Sequence, residues 1–473
     1  MNQLLAAVVT CRYSRRAEIA IYSSLSLSVQ TIPHSRGLKT SSILFVHTIH
    51  PEPNNMFKHS FIFTLLAYSS LSIAGGPLVL EGPAGFTPAT YQDPNITLHI
   101  ESGDLGILSN AEADTLVLDA FQLWNDVSTS TVNLIVDQAQ INVDIDLSNF
   151  ETYLPNIAGT EFNADDNLNP IVYDDNGEII DAFFGVGQSN NTIGFAASII
   201  TVGSSYFSEG YAVINGKDLG LTSTTFKLLI AHEIGHFLGL DHTQVDINNQ
   251  ESIFSSPSIC STRENTAYPL MYPFVCRDEE TLHLDDISAI SALYPSIDFN
   301  NNFGILQGRF VDETNRAILG ANIWAENMVT GETVSIVSDY LTQGTGFYKL
   351  HLPEGNYTMH VNSINTLFYG GSGVGPYSLN QNDISFIEPH PLAEVTFQGD
   401  SPGSDEIITI TNNEAQIIDF AINGETTIIP SGDDDDSFAD LFGATSHLTL
   451  AAIFGLLAAS RLYQKSKHPD DRA

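Results

Sequence analysis

The segment His232-Glu233-Ile234-Gly235-His236-Phe237-Leu238-Gly239-Leu240-Asp241-His242 decides the fold of this chain. It spells H-E-x-x-H-x-x-G-x-x-H, within a stretch from Thr222 to Leu240 whose apolar positions recur at helical spacing. On a helix, His232 and His236 stand one turn apart and project from one face toward one ion. Gly239 can adopt a backbone conformation closed to other residues, so the chain can leave the helix and return His242 as a third ligand. Three neutral histidines leave one position of a zinc ion open for water, the mark of a catalytic rather than a structural site. Zinc lowers the pKa of such a water toward about 7. Glu233, beside the first ligand, is placed to accept the proton as general base and deliver it to a leaving amine.

Working outward, Asn95 to Ile100 alternates as a strand, and Ser109-Asn110-Ala111-Glu112 is a capping box. A helix through Trp124 and Val127 follows, then a second strand at Val132 to Val136. Residues 138–182 are acidic and rich in Asn and Asp, and are expected to form a long loop. Thr192 to Thr201 is apolar and reads as a strand. It is either an edge that pairs with an extended substrate or an ordinary buried strand. Leu284 to Leu293 is a further helix, closed by Tyr294-Pro295. After Asn302, short stretches of period-two alternation and a turn at Pro353-Glu354-Gly355-Asn356 predict an antiparallel β-sandwich.

The extended histidine motif resembles that of the metzincin zinc metalloproteases. Tyr268-Pro269-Leu270-Met271-Tyr272-Pro273 looks like their Met-turn, which implies that Met271 packs beneath the zinc. The Leu-Met-Tyr-Pro form and the helix ending Leu293-Tyr294 are similar to the matrixins, the matrix metalloproteinase clan. The resemblance implies a twisted sheet, two main helices and a cleft across the zinc for a protein or peptide substrate. Matrixins commonly hold structural calcium, so Asp165, Asp174, Asn176 and Asp181 are either calcium ligands or a solvated acidic loop. Val275 stands where matrixins often have tyrosine, and no cysteine lies between Ala74 and the motif to serve a cysteine switch. Cys260 and Cys276 flank the Met-turn segment and either form one disulfide or remain two thiols. Gly304 to about Val361 resembles the carboxypeptidase regulatory-like β-sandwich, which implies a stalk or binding module.

The composition narrows the partners. The 473 residues carry 17 Lys+Arg and 56 Asp+Glu, a formal charge of −39, which speaks against nucleic acid. With 43% apolar residues, the chain has the means to build a large core. The ends differ from the middle. Between Gly75 and Thr445 there are seven basic and 52 acidic residues, whereas residues 1–55 carry five basic and two acidic ones. Met56 opens a secretory signal, 56–74, ending in Ser72-Ile73-Ala74, so residues 1–55 are read as a mis-called extension. A catalytic domain is expected over 78–296, a β-sandwich over 304–424 and an acidic linker over 425–440. A transmembrane or sorting helix over 441–462 and a basic tail over 463–473 complete the chain.

The expected architecture is α+β, with a metzincin-type catalytic domain, an all-β sandwich that spaces it from an anchor, and a C-terminal hydrophobic helix. The expected activity is that of an exported or surface-anchored zinc endopeptidase of matrixin type, with Zn(2+) and a second cation, Ca(2+), as its metals. The competing reading is a surface adhesion or binding protein in which the zinc domain is a scaffold.

Overall fold

The computed structural model describes residues 4–12 and 76–425, apart from 82–86, 138–140, 155–166, 202–203, 218–219, 244–266, 275, 342, 365–391, 393 and 401–402. The signal segment, the C-terminal apolar segment, Asp165 and Cys260 lie outside the described residues. Among the described residues, no helix is long and apolar enough to cross a membrane.

The elements that position the site are, in chain order, β1 (Leu4–Arg12), β2 (Asn95–Ile100), α1 (Asn110–Asn125), β3 (Asn133–Asp137), β4 (Pro170–Asp174), α2 (Glu178–Phe184), β5 (Thr192–Thr201) and β6 (Tyr206–Asn215). They continue with α3 (Ser223–Phe237), α4 (Leu284–Leu293), β7 (Gly304–Val311), β8 (Ala321–Asn327), β9 (Thr333–Val337), β10 (Phe347–Leu352) and β11 (Gly355–Ser363). Strands dominate and helices are few.

The first sheet runs β1-β5-β6-β4-β2-β3. β2 is parallel to β3 and β4, and β4 to β6. β5 turns back antiparallel to β6, and β1 pairs antiparallel along β5 from Leu4↔Thr201 to Arg12↔Thr192. The β5 edge that was open to an extended substrate in the sequence reading is therefore taken by a strand of the same chain, residues 4–12. α1 begins at the expected capping box, where the Glu112 carboxylate accepts the Ser109 N–H at 3.0 Å. Its buried face, with Val117, Phe121 and Trp124, packs on α3.

The expected loop over 138–182 is not continuous, because β4 and α2 fall within it. β4 is buried along its whole length between two parallel neighbours. Such a strand shows no polar–apolar alternation, so a period-two search passes over Pro170-Ile171-Val172-Tyr173.

The second half, expected as a β-sandwich, is built from two further sheets. In one sheet β7 lies between β10 and Ala415–Ile417; in the other β8 lies between β9 and β11. These sheets are joined to the first half by a shared core. α4 packs on β9 and β10, and one apolar core runs through Ile290, Leu293, Phe303, Val334, Ile336 and Leu350. Polar contacts cross the same boundary: Ser288 Oγ donates to the His351 carbonyl at 2.8 Å, and the Ser335 N–H donates to Asp285 Oδ1 at 2.7 Å. All described residues belong to one compact unit.

Candidate metal centre

α3 starts where Thr222 accepts the Thr225 N–H at 3.1 Å and carries His232, Glu233 and His236 in its last turns. The chain leaves the helix at Gly239, whose φ of +96° lies in the left-handed region. The conformation anticipated from sequence is thus present, and it returns His242 to the helix face. All three imidazoles are fully buried. Their Nε2 atoms stand 3.0 Å (His232–His236), 3.2 Å (His236–His242) and 3.3 Å (His232–His242) apart.

The tautomers of two rings follow from their partners. His232 Nδ1 faces the Leu270 carbonyl at 2.6 Å, and His236 Nδ1 faces the Leu240 carbonyl at 2.8 Å. A carbonyl only accepts, so each Nδ1 carries the proton and donates it. Both Nε2 atoms are then bare, and their 3.0 Å approach is no hydrogen bond. Two lone pairs facing each other in a buried site need a cation between them. Burial also favours the neutral rings, holding His232 down at about 4, while the Leu270 carbonyl acts in the opposite direction. Burial, followed by the neighbouring His242 and His232, holds His236 well below its ordinary value.

The donor set fits zinc. Nitrogens at about 2.0–2.1 Å from a tetrahedral zinc ion stand about 3.3 Å from one another, close to the observed separations. The carbonyls on the two Nδ1 atoms are the outer partners that orient metal-binding imidazoles. Among the described residues, these three histidines are the group of metal-binding side chains whose ligand atoms all lie within 4.8 Å of one another.

Glu233 is fully buried on the same helix. Its side chain lies against β5 at Gly194, where an added Cβ would come within 2.9 Å of Glu233 Cγ. Met271 is buried against Gly235, the residue between the two helical histidines. A Cβ on Gly235, between the two helical ligands, would collide with Met271 Sδ and come within 3.0 Å of Trp124. Trp124 in turn donates its indole N–H to the Ala231 carbonyl at 2.9 Å, tying α1 to α3.

Sequence reasoning missed Asp286. Its carboxylate accepts the N–H groups of Leu270 at 2.7 Å, Met271 at 3.0 Å and His283 at 3.0 Å. It thereby holds the loop whose Leu270 carbonyl orients His232. The available signal was the Asp285-Asp286 pair in the first turn of a helix, where N–H groups seek acceptors. Asp241, also missed, accepts the His242 N–H at 2.7 Å, and burial raises its pKa well above the ordinary value.

The residues read as calcium ligands have other partners. Asp174 accepts the N–H groups of Ile179 at 3.1 Å and Ile180 at 2.8 Å, at the start of α2. Asn176 Oδ1 accepts the Glu178 N–H at 3.0 Å. Asp181 accepts the N–H groups of Gly187 at 2.9 Å and Ser189 at 2.7 Å. These oxygens organise turns around α2. Cys276 is disulfide-bonded. His99, His283, His351 and His360 are not part of this group; His283, for example, accepts the Asp285 N–H at the start of α4.

No family model matches the chain, and no curated protein does. Among solved structures, the chain is similar to BcpA, the major pilin subunit of Bacillus cereus, at 17% identity and a TM-score of 0.14, over 25% of this chain and 29% of that one. It is also similar to the Bacillus anthracis TIE protein, at 17% identity and a TM-score of 0.14, over 26% of this chain and 17% of that one. The chain thus spans less than a third of the length of either structure. The assignment to the matrixins and the reading of the chain as a matrixin-type endopeptidase are therefore not upheld: no family model carries them, and the structures named here are a pilin and the TIE protein. The specific motifs of that resemblance are confined to 232–294.

Proposed function

We propose that this chain is an exported, surface-held binding protein whose histidine centre carries one zinc ion. The observation that supports the zinc is the approach of three buried Nε2 atoms to 3.0–3.3 Å, two of them bare. The binding role draws on the β-sandwich, which is fused to the zinc-bearing unit through a shared core and so presents one rigid surface to a protein or peptide partner. Export and surface retention draw on the signal-like segment 56–74 and on the apolar segment 441–462 with Arg461, Lys465 and Lys467 at its end. The finer description of the fold belongs to the same proposal: a zinc-bearing α+β domain, an all-β sandwich and a C-terminal hydrophobic helix.

A second reading, enzymatic use of the centre in hydrolysis, is favoured by one specific observation. An acidic side chain, Glu233, is buried beside two ligands on the same helix, at a place where a purely structural site needs none. A zinc ion, when bound, supplies a Lewis acid that activates water at neutral pH. The chain's own residues would then do the rest. The Leu270 and Leu240 carbonyls fix the ligand rings, and Gly194 leaves room for the Glu233 carboxylate, which would hold the transferred proton.

Zinc content, binding to a panel of immobilised extracellular proteins and cleavage of a mixed peptide library, measured on the full wild-type chain and on Glu233→Ala, separate the two. One zinc per chain, with binding that survives Glu233→Ala and no cleavage by either protein, supports the binding role. Cleavage by the wild type that falls at least ~100-fold in Glu233→Ala establishes the enzyme instead. A chain that takes up no zinc overturns both.

A further inference from the structure

The third ligand, His242, is the one the helix does not carry, so something else must hold it. The residue after it, Thr243, is fully buried and makes two contacts that fix its place. Its N–H donates to the Met271 carbonyl at 2.9 Å. Its Oγ1 lies 3.0 Å from Ser335 Oγ, a residue of β9 in the sandwich, 92 positions away. Ser335 is fully buried too, and its N–H donates to Asp285 Oδ1 at 2.7 Å. Asp285 also bonds the Thr243 and Ser335 hydroxyls. The three side chains close a buried polar cluster across the boundary between the two halves.

Adjacent acids of α4 therefore serve the centre from two sides. Asp286 holds Leu270 and Met271, and through the Leu270 carbonyl it orients His232. Asp285 and Ser335 hold Thr243, and through the backbone they fix His242. Removing a hydroxyl from a fully buried cluster leaves its partners with the cost of their desolvation, so the loss is felt by the residue it holds.

We infer that Ser335 is a positioning residue of the metal centre, and that the sandwich completes the site by holding the third ligand through Thr243. The inference rests on the zinc reading above. Outer-shell partners of metal ligands typically change metal affinity by about 10–100-fold when removed. The sandwich then tunes metal retention, and displacing it from α4 would loosen the ion.

The test is the zinc affinity of the full chain, measured by competition with a chromophoric chelator at fixed pH. Ser335→Ala and Thr243→Val each remove one side of the same contact, while Ser335→Thr keeps the hydroxyl. Ser338→Ala is the control. Ser338 is equally buried in the sandwich, but it bonds the Ala321 N–H and the Ile318 carbonyl of its own half. Expected are affinities about 10-fold weaker for Ser335→Ala and for Thr243→Val, a loss in the double variant smaller than the two single losses combined, and wild-type affinity for Ser335→Thr and Ser338→Ala. Should Ser335→Ala fail to fold, Thr243→Val reports on the same contact. Ser335→Ala and Thr243→Val within twofold of wild type would overturn the inference, as would an equal loss in Ser338→Ala, which reports general destabilisation. A wild-type chain without measurable zinc affinity would instead overturn the zinc reading on which the inference stands.

Discussion

At the scale of single residues, the centre shows how burial sets protonation. The same physics acts far from it on Glu101, at the end of β2, where burial pushes the carboxyl up to about 8 against the Ile145 and Tyr173 N–H groups that bond it. An unfolded glutamate loses its proton near about 4.3. Between these values the folded chain holds a proton that the unfolded chain has released, so stability falls as pH rises through that window. Asp285, raised by burial to about 8, acts with the same sign. The thermal midpoint is expected to drop between pH 5 and pH 8, and Glu101→Gln should make that slope shallower without abolishing it. A slope unchanged in Glu101→Gln would show that the carboxyl is ionised in the fold. The grouped histidines themselves were legible residue by residue, because helical geometry converts a spacing of four into a shared direction. Asp286 and Ser335 were not legible, since no local spacing relates either to the residues it holds.

At the scale of elements, the helices followed their sequence signals closely. Thr222 caps α3, Glu112 closes the box at the start of α1, and α4 spans Leu284–Leu293 as predicted. β4 and α2 escaped notice because one is buried on both faces and the other is short and set in acidic sequence. α4 does more than pack. Asp286→Ala leaves three backbone N–H groups without their acceptor in a buried loop, a loss on the order of 3 kcal/mol. Denaturant unfolding should show that loss, together with weaker zinc binding as the Leu270 carbonyl shifts from His232. A stability within 0.5 kcal/mol of wild type, a change of ~0 by ordinary surface standards, would mean that water replaces the carboxylate.

At the scale of the whole molecule, the two halves share a core and a polar boundary, so they are expected to unfold together. Calorimetry on the zinc-loaded full chain should give one transition. Stripping the metal should lower its midpoint, because a ligand at 100-fold above its Kd stabilises the native state by about 2.7 kcal/mol. Two separate transitions, only one of them sensitive to zinc, would show that the boundary does not couple the halves. The charge of −39 acts on the whole surface and favours the unfolded chain more as pH rises, with the same sign as Glu101.

Sequence by itself determined the local features: the helix bearing His232, Glu233 and His236, the left-handed exit at Gly239, the Met271 turn, and the strand alternation of the sandwich. Each depends on residues within a turn or two of one another, where backbone geometry leaves few choices. Tertiary structure alone decided that residues 4–12 pair along β5, that Asp174 and Asp181 accept backbone N–H groups around α2, and that the second half reaches back to His242 through Thr243. Those outcomes turn on which distant groups find each other when water is excluded. A buried carboxylate or hydroxyl takes whatever partner the packing delivers, and sequence separation says nothing about that choice.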